Sequence, residues 1–330
     1  NKFHRKLING NILVSIDERN WLGKKVVDRD LPSAEFSLHH DALELPNGNI
    51  VALVSNENTS IINYLGKEAV SKEDYVIELD GVTGELRNAW DLREYLDVDR
   101  GVNIAHETDW IHMNNLEYDP YDDSIIFSCR FQGIVKITRN GEQGSNANQG
   151  KDLVWIMAPH MGWGMGGWDG NGSIDPQNYL LTAVDSNGIP YGQDLQDNLA
   201  AQGPKEEEFH WPIGNHGLRI TSRNGDVLTL LDFNNQASFI FDGPDTVNNA
   251  VSWAHQGDLT NDRMNPPYSM IIEYEIDEAS MTVRQKWGYG QSDNDLYGSF
   301  NSSVNLFPVN GNRMMITNGY DIHDPKSNPY

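Results

Sequence analysis

Three observations predict an all-β fold, a β-propeller of four-stranded antiparallel blades. The chain holds nine Trp, thirteen Tyr and thirty Gly, with recurrent Asn-Gly and Asp-Gly pairs, a usage that favours short strands joined by tight turns over helices. A unit also recurs: a polar strand start, an apolar strand, a glycine turn, a second apolar strand, a third strand, an acidic turn and an outer strand. Four strands in roughly 40 to 50 residues is the period of a propeller blade, whose innermost strand lines a central channel.

The first full copy starts at His40, passes the Pro46-Asn47-Gly48-Asn49 turn into Ile50-Val51-Ala52-Leu53-Val54, continues through Tyr75 to Asp80, and ends at Trp90. The second runs from His112 through the Asp119 to Asp123 turn and Ile134 to Ile137, ending at Val154-Trp155-Ile156. The third runs from His216 through the Arg223-Asn224-Gly225-Asp226 turn, Val227 to Leu231 and Met270 to Asp277, ending at Trp287. Partial copies stand at both ends, at Asn9 to Val14 and at Ser302 to Ile316. The three leading histidines lie 72 and 104 residues apart, so large insertions separate bare blades. The longest, residues 160–210, opens Met161-Gly162-Trp163-Gly164 and predicts a loop covering the site. It lacks the GxxxxGK[ST] pattern of a phosphate cradle. The domain expectation is a single propeller over residues 1–330.

A net charge of −24 and a pI near 4.6 exclude nucleic acid as a partner, since polyanions need clustered Lys and Arg. Small molecules are the expected partners; an anionic one is still admissible, because charges beyond about 8 Å are largely screened at physiological salt. The single Cys129 rules out an internal disulfide, and no apolar run is long enough for a membrane span. Beginning at Asn1 with neither Met nor a signal peptide, the chain reads as a processed or truncated product. A homo-oligomer is left open.

His112, Asn114 and Arg130 lie at the two ends of a strand, turn, strand arrangement, which brings a histidine, an amide and a guanidinium to one end of a sheet. A single histidine on a half-buried strand is commonly a hydrogen-bonded structural residue. His40, His112 and His216 at matching points of three repeats point to one pocket instead. Trp110, Trp163, Trp168 and Trp211 either stack on an aromatic ligand or pack the blades. Asp119, Asp122 and Asp123 read as a solvated turn, with calcium as the alternative.

These segments resemble the bacterial arylsulfate sulfotransferase family, which moves sulfate between phenols without a nucleotide donor. The resemblance covers most of the chain and rests on His39-His40-Asp41 with its Pro46-Asn47-Gly48-Asn49 turn, and on Asp109-Trp110-Ile111-His112-Met113-Asn114. It rests further on Tyr118-Asp119-Pro120 through Arg130, on Val154-Trp155-Ile156 with Pro159 to Trp163, and on Asn215 to Ile220. It implies a six-bladed propeller preceded by an amino-terminal β domain, of which this chain holds the central and carboxy-terminal portion. It also implies export, to the periplasm or outside the cell, and no cofactor or metal. The donor and acceptor it implies are an aryl sulfate and a phenol, exchanged in a ping-pong mechanism. Carried over residue by residue, it makes His216 the transiently sulfated nucleophile, with His40, His112, Asn114 and Arg130 around the sulfuryl group and Ser302 or Ser303 as the carboxy-terminal hydroxyl contact. Trp110 and Trp211 are the expected aromatic contacts of the substrate. Gly217 stands where a small hydroxyl residue is expected, and His210 where Asp is usual.

The chemistry suits these residue types. A neutral imidazole offers a lone pair for in-line attack, and its ordinary pKa near 6.5 leaves it mostly neutral at pH 7. A guanidinium donates two parallel hydrogen bonds to an oxyanion, and a second, protonated histidine can protonate the leaving phenolate. Two rival readings remain: a metal-dependent propeller lyase or hydrolase with His40, His112 and His216 as ligands, and a noncatalytic propeller used for binding or assembly.

Overall fold

A computed structural model describes residues 4–32, 36–56, 61–64, 67–70, 75–98, 100, 110–130, 132–139, 153–167, 172–197, 209–235, 241–245, 250–253, 269–290, 302–306 and 313–317. Asp109, His106, Trp168, His255 and His323 fall outside these residues. The regular structure of the described residues is nearly all β, with three four-stranded antiparallel sheets like the blades of a propeller, one five-stranded sheet and three two-stranded pairs.

Four short strands open the chain: β1 (His4–Lys6), β2 (Ile12–Val14), β3 (Asp17–Arg19) and β4 (Lys25–Val27), antiparallel and in chain order. The sequence pattern marks only the second of them, because β1 and β3 are wholly polar or charged and β4 is only three residues long. The next sheet holds β5 (Phe36–Glu44), β6 (Ile50–Asn56), β9 (Tyr75–Leu79) and β10 (Leu86–Asp91), with the hairpin β7 (Ile61–Tyr64) and β8 (Lys67–Val70) inserted between β6 and β9. β6 is buried along its whole length, so its apolar run packs on both faces. Ala52, Val54, Ile77 and Leu79 form a core there with Leu7, Leu13 and Ile16 of the opening sheet.

The third sheet takes β11 (Met113–Asp119), β12 (Ser124–Cys129), β13 (Gly133–Thr138) and β14 (Leu153–Met157) in chain order. The turn between β11 and β12 is solvated only in part: Pro120 and Tyr121 are exposed and Asp122 and Asp123 are half-buried. Asp119 is fully buried and accepts from Lys136 Nζ at 2.9 Å, and Lys136 also reaches Asp122 at 2.7 Å. Asp123 is held by Arg139 at 2.6 Å. Lys136 and Arg139 thus offset part of the charge of the three aspartates.

The residues from 160 to 210 are more structured than a plain loop. They contain a 3₁₀ turn at Pro176–Tyr179, the short β15 (Thr182–Ala183), which runs parallel to a later strand, and the single-turn helix α1 (Gln193–Asp197). Gln196 clasps Ala183 through both ends of its amide, at 2.9 and 2.7 Å, and His160 Nε2 meets the Leu181 carbonyl at 2.8 Å.

The last sheets comprise β16 (His216–Asn224), β17 (Val227–Asn234), the inserted hairpin β18 (Phe241–Asp245) and β19 (Ala250–Trp253), then β20 (Met270–Asp277) and β21 (Thr282–Tyr289), with β15 at the outer edge. The pair β22 (Ser302–Leu306) and β23 (Arg313–Thr317) follows. Val304 of β22 shares a core with Leu231, Phe233 and Ile271. The chain divides into two compact units, one of Asn1–Phe127, Lys136–Val154 and Gly164–Pro176, the other of Ser128–Val135, Trp155–Trp163 and Gln177–Tyr330. Among the described residues no helix is long and apolar enough to cross a membrane.

Candidate functional site

In the first unit, β5 pairs Leu38 with Val54 and Ala42 with Ala52, so His39, His40 and Asp41 together face one residue of β6. This bulge bends the strand and puts His40 in the left-handed region, at φ 49°. His112, just before β11, takes the same conformation at φ 45°. A left-handed non-glycine residue costs roughly 1–2 kcal/mol, and such strain gathers where the surrounding structure over-determines it, often at functional sites.

The bulge assembles a histidine cluster. His39 Nδ1 lies 2.9 Å from His40 Nδ1, and the His40 and His112 rings meet edge to face with centroids 4.9 Å apart. Asp41, buried beneath, accepts from Asn115 Nδ2 at 2.6 Å, from the Leu116 N–H at 3.0 Å and from Arg5 Nε at 2.9 Å, locking β5 to β11. Burial works against the Arg5 charge, but Asp41 and Glu117 outweigh it and raise the Arg5 pKa. Burial of the His39 ring, with His40 and His112 beside it, pushes the His39 pKa well below its ordinary value. Asn114 lies buried on β11 two residues beyond His112. Trp110 is fully buried.

In the second unit, His216 opens β16 and is nearly buried. Its Nδ1 lies 2.9 Å from the Gly214 carbonyl and 2.7 Å from Asn235 Oδ1. A carbonyl oxygen can only accept, so Nδ1 carries the proton and Nε2 the lone pair. Gly214 also donates its N–H to the Arg130 carbonyl at 2.9 Å, tying the guanidinium-bearing residue to the turn that orients the imidazole. Asn234 supports that turn from β17, donating to the Trp211 carbonyl at 2.7 Å and accepting from the Ile213 N–H at 3.3 Å.

Gly217 follows His216 at φ 69°, and a Cβ there would stand 2.7 Å from Ser303 Cα and Val304 N. Backbone against backbone cannot give way, so β22 approaches β16 only because no side chain intervenes. The hydroxyl residue expected at this position would not fit. Counted from the left-handed residue, the three repeats are offset: His40 and His112 correspond to Gly217, and the counterpart of His216 in the first unit is His39. Ser302 is buried, and its hydroxyl has no hydrogen-bond partner among the described residues. Trp211 is buried and donates its indole N–H to the Leu195 carbonyl at 2.8 Å. His210 is buried too, its backbone N–H on Gln285 Oε1 at 3.0 Å and its carbonyl accepting from the Tyr274 hydroxyl.

The chain matches the family described as arylsulfotransferase (ASST) over residues 5–329. It belongs to that family. Two curated relatives are each named arylsulfate sulfotransferase AssT, one from Escherichia coli O6:H1 and one from Lelliottia amnigena. Each is 27% identical over 344 aligned residues, covering 88% of this chain and 50% of the relative. The chain thus spans about half the length of the curated relatives it matches. Among solved structures, a quinohemoprotein alcohol dehydrogenase from Comamonas testosteroni aligns over 92% of this chain and 54% of its own, at 10% identity and a TM-score of 0.32, too low to bear on this protein.

Of the residues singled out in the sequence, His40 and His216 are held by groups to which the sequence reading gave no role. Asn235 and Gly214 fix the His216 tautomer, and Asp41 fixes the strand carrying His40. Paired asparagines at Asn234-Asn235, where a strand ends in a polar step, were the available signal.

Proposed function

We propose that the protein is an aryl-sulfate sulfotransferase that works by a ping-pong mechanism through His216. The observation that carries this reading is the Gly214 carbonyl on His216 Nδ1, which leaves Nε2 as the nucleophilic nitrogen. The Nε2 lone pair attacks sulfur, the N–S bond forms as the S–O bond to the phenol breaks, and the phenolate leaves with a proton from a histidine. A second phenol then gives up its proton, attacks the sulfated imidazole, and restores neutral His216.

Sulfuryl transfer through a loose transition state spreads charge over the equatorial oxygens, so catalysis is chiefly positioning and electrostatic stabilisation. Arg130 and Asn114 are the donors for those oxygens, and the Ser302 hydroxyl is a further one. His40 and His112 take the proton exchanges with phenol. The donor and acceptor classes, an aryl sulfate and a phenol, follow from the family and from the names of its relatives, and export to the periplasm or beyond belongs to the same reading.

The test is to mix the protein with 4-nitrophenyl sulfate and an acceptor phenol, with and without a chelator, and to record intact mass with donor alone. Transfer indifferent to chelator, and an early species heavier by one sulfuryl group on the peptide holding His216, are expected. Chelator-sensitive turnover would favour a metal enzyme, and no turnover a binding protein.

A further inference from the structure

We propose that His39 is a positioning residue for His40: its imidazole holds the Nδ1 of His40 and leaves Nε2 as the one nitrogen through which His40 exchanges protons. The proposal rests on the transferase reading above, in which His40 exchanges a proton with phenol.

Neighbouring residues of a regular strand point to opposite faces. His39 and His40 do not, because the bulge in β5 and the left-handed φ of 49° at His40 bring both rings to the same side. The strained residue is therefore what makes the pair, with Nδ1 atoms 2.9 Å apart and ring centroids 5.2 Å apart. Two nitrogens at that distance need one N–H between them, since two lone pairs or two N–H groups would repel. Hence the two rings share one proton at this contact, and both cannot be cationic at once.

The charge then belongs to His40. The His39 ring is half-buried, and its loss of solvent, with His40 and His112 close by, favours its neutral form. A neutral His39 accepts from a charged His40 as a carboxylate orients the histidine of a Ser-His-Asp triad. It does so without a negative charge, which suits a protein whose proposed substrates are anionic esters; an aspartate there would repel them. Two further contacts confine His40. The His112 ring abuts it at 4.9 Å with the planes 63° apart, and the next residue, Asp41, is anchored to Asn115 and Leu116.

The test compares His39→Leu, His39→Asn and His39→Gln. An Asn amide reaches the position of an imidazole Nδ1, whereas a Gln amide reaches the Nε2 position. With aryl sulfates of graded leaving-group acidity, His39→Leu and His39→Gln should lose about 10- to 100-fold in kcat with the least acidic phenols and much less with 4-nitrophenol. His39→Asn should recover most of the loss. Should the Leu variant fail to fold, the Gln and Asn variants make the same comparison. Nitrogen-15 spectra of histidine-labelled protein should show one His40 tautomer in wild type and a mixture in the Leu or Gln variant. A loss equal for all donors, no loss at all, or an unchanged His40 tautomer overturns the proposal. If wild-type protein transfers no sulfuryl group from any donor, the transferase reading fails by itself, and the His40 tautomer still decides whether His39 holds it.

Discussion

His216 donates its Nδ1 proton to Asn235 Oδ1 across 2.7 Å, from the first residue of β16 to the residue just past β17. Asn235 is itself fully buried, and its backbone carbonyl accepts from Ser269 Oγ at 2.7 Å. The imidazole is thus held by a buried side chain, and the Gly214 carbonyl duplicates the grip.

Asn235→Ala should therefore lower kcat by roughly 10- to 100-fold, the usual cost of removing a group that orients a reactive histidine, with less effect on KM. Asn235→Asp keeps an acceptor and should retain more activity. Steady-state kinetics on both variants check this, and equal activity in Asn235→Ala and wild type would count against the orienting role.

His216→Asn should abolish transfer and leave no sulfated protein, while the fold and donor binding persist, because the amide keeps hydrogen bonding but cannot carry the group. Arg130→Lys should still form the sulfated species, but about 10²- to 10³-fold more slowly, since a point charge replaces a two-pronged donor. Rapid-quench mass spectrometry separates the two outcomes. A His216→Asn variant with wild-type turnover would sink the covalent mechanism.

Gly217→Ala should destabilise the protein by about 2 to 5 kcal/mol, combining the left-handed backbone cost with overpacking. The clash is with Ser303 Cα and Val304 N, so β22 must move away from β16. Urea unfolding measures the loss. By contrast Gly225→Ala, at φ 58° in the β16 to β17 turn with nothing near its Cβ, should cost only the backbone part.

Strands buried on both faces and turns carrying Asn-Gly announced themselves, which is why β5, β6, β16 and β17 could be read from sequence. β3, β4 and the inserted hairpin β7 and β8 are short or polar and carry no period. The nucleophile candidate His216 was legible because a histidine opened a repeat. Its offset from His40 and His112 was not, because a bulge changes which neighbour faces where without changing composition. The acidic turn misled for a related reason: Lys136, which buries Asp119, lies in another strand, seventeen residues away, and sequence alone does not pair them.

Asp232 of β17 is fully buried, and neither carboxylate oxygen has a hydrogen-bond partner within normal distance among the described residues. Burial raises its pKa well above the ordinary value, only partly countered by the Asn215 amide, and the nearby Tyr274 hydroxyl has its own pKa raised by burial and by Asp232. The folded protein therefore holds a proton on Asp232 over a range of pH where the unfolded chain, with an Asp pKa near 3.9, does not. The corresponding stability is fully present below about pH 4 and is lost as pH rises toward the folded-state value. Asp232→Asn carries a neutral group throughout and escapes that loss. Relative to wild type it should gain stability steadily from pH 4 to pH 8, by about 1 to 3 kcal/mol at the upper end, the range for a buried group left without partners. Urea unfolding at pH 4, 6 and 8 gives the comparison. A difference independent of pH, or an Asn variant less stable than wild type at pH 8, would show that Asp232 is charged and satisfied in the folded protein.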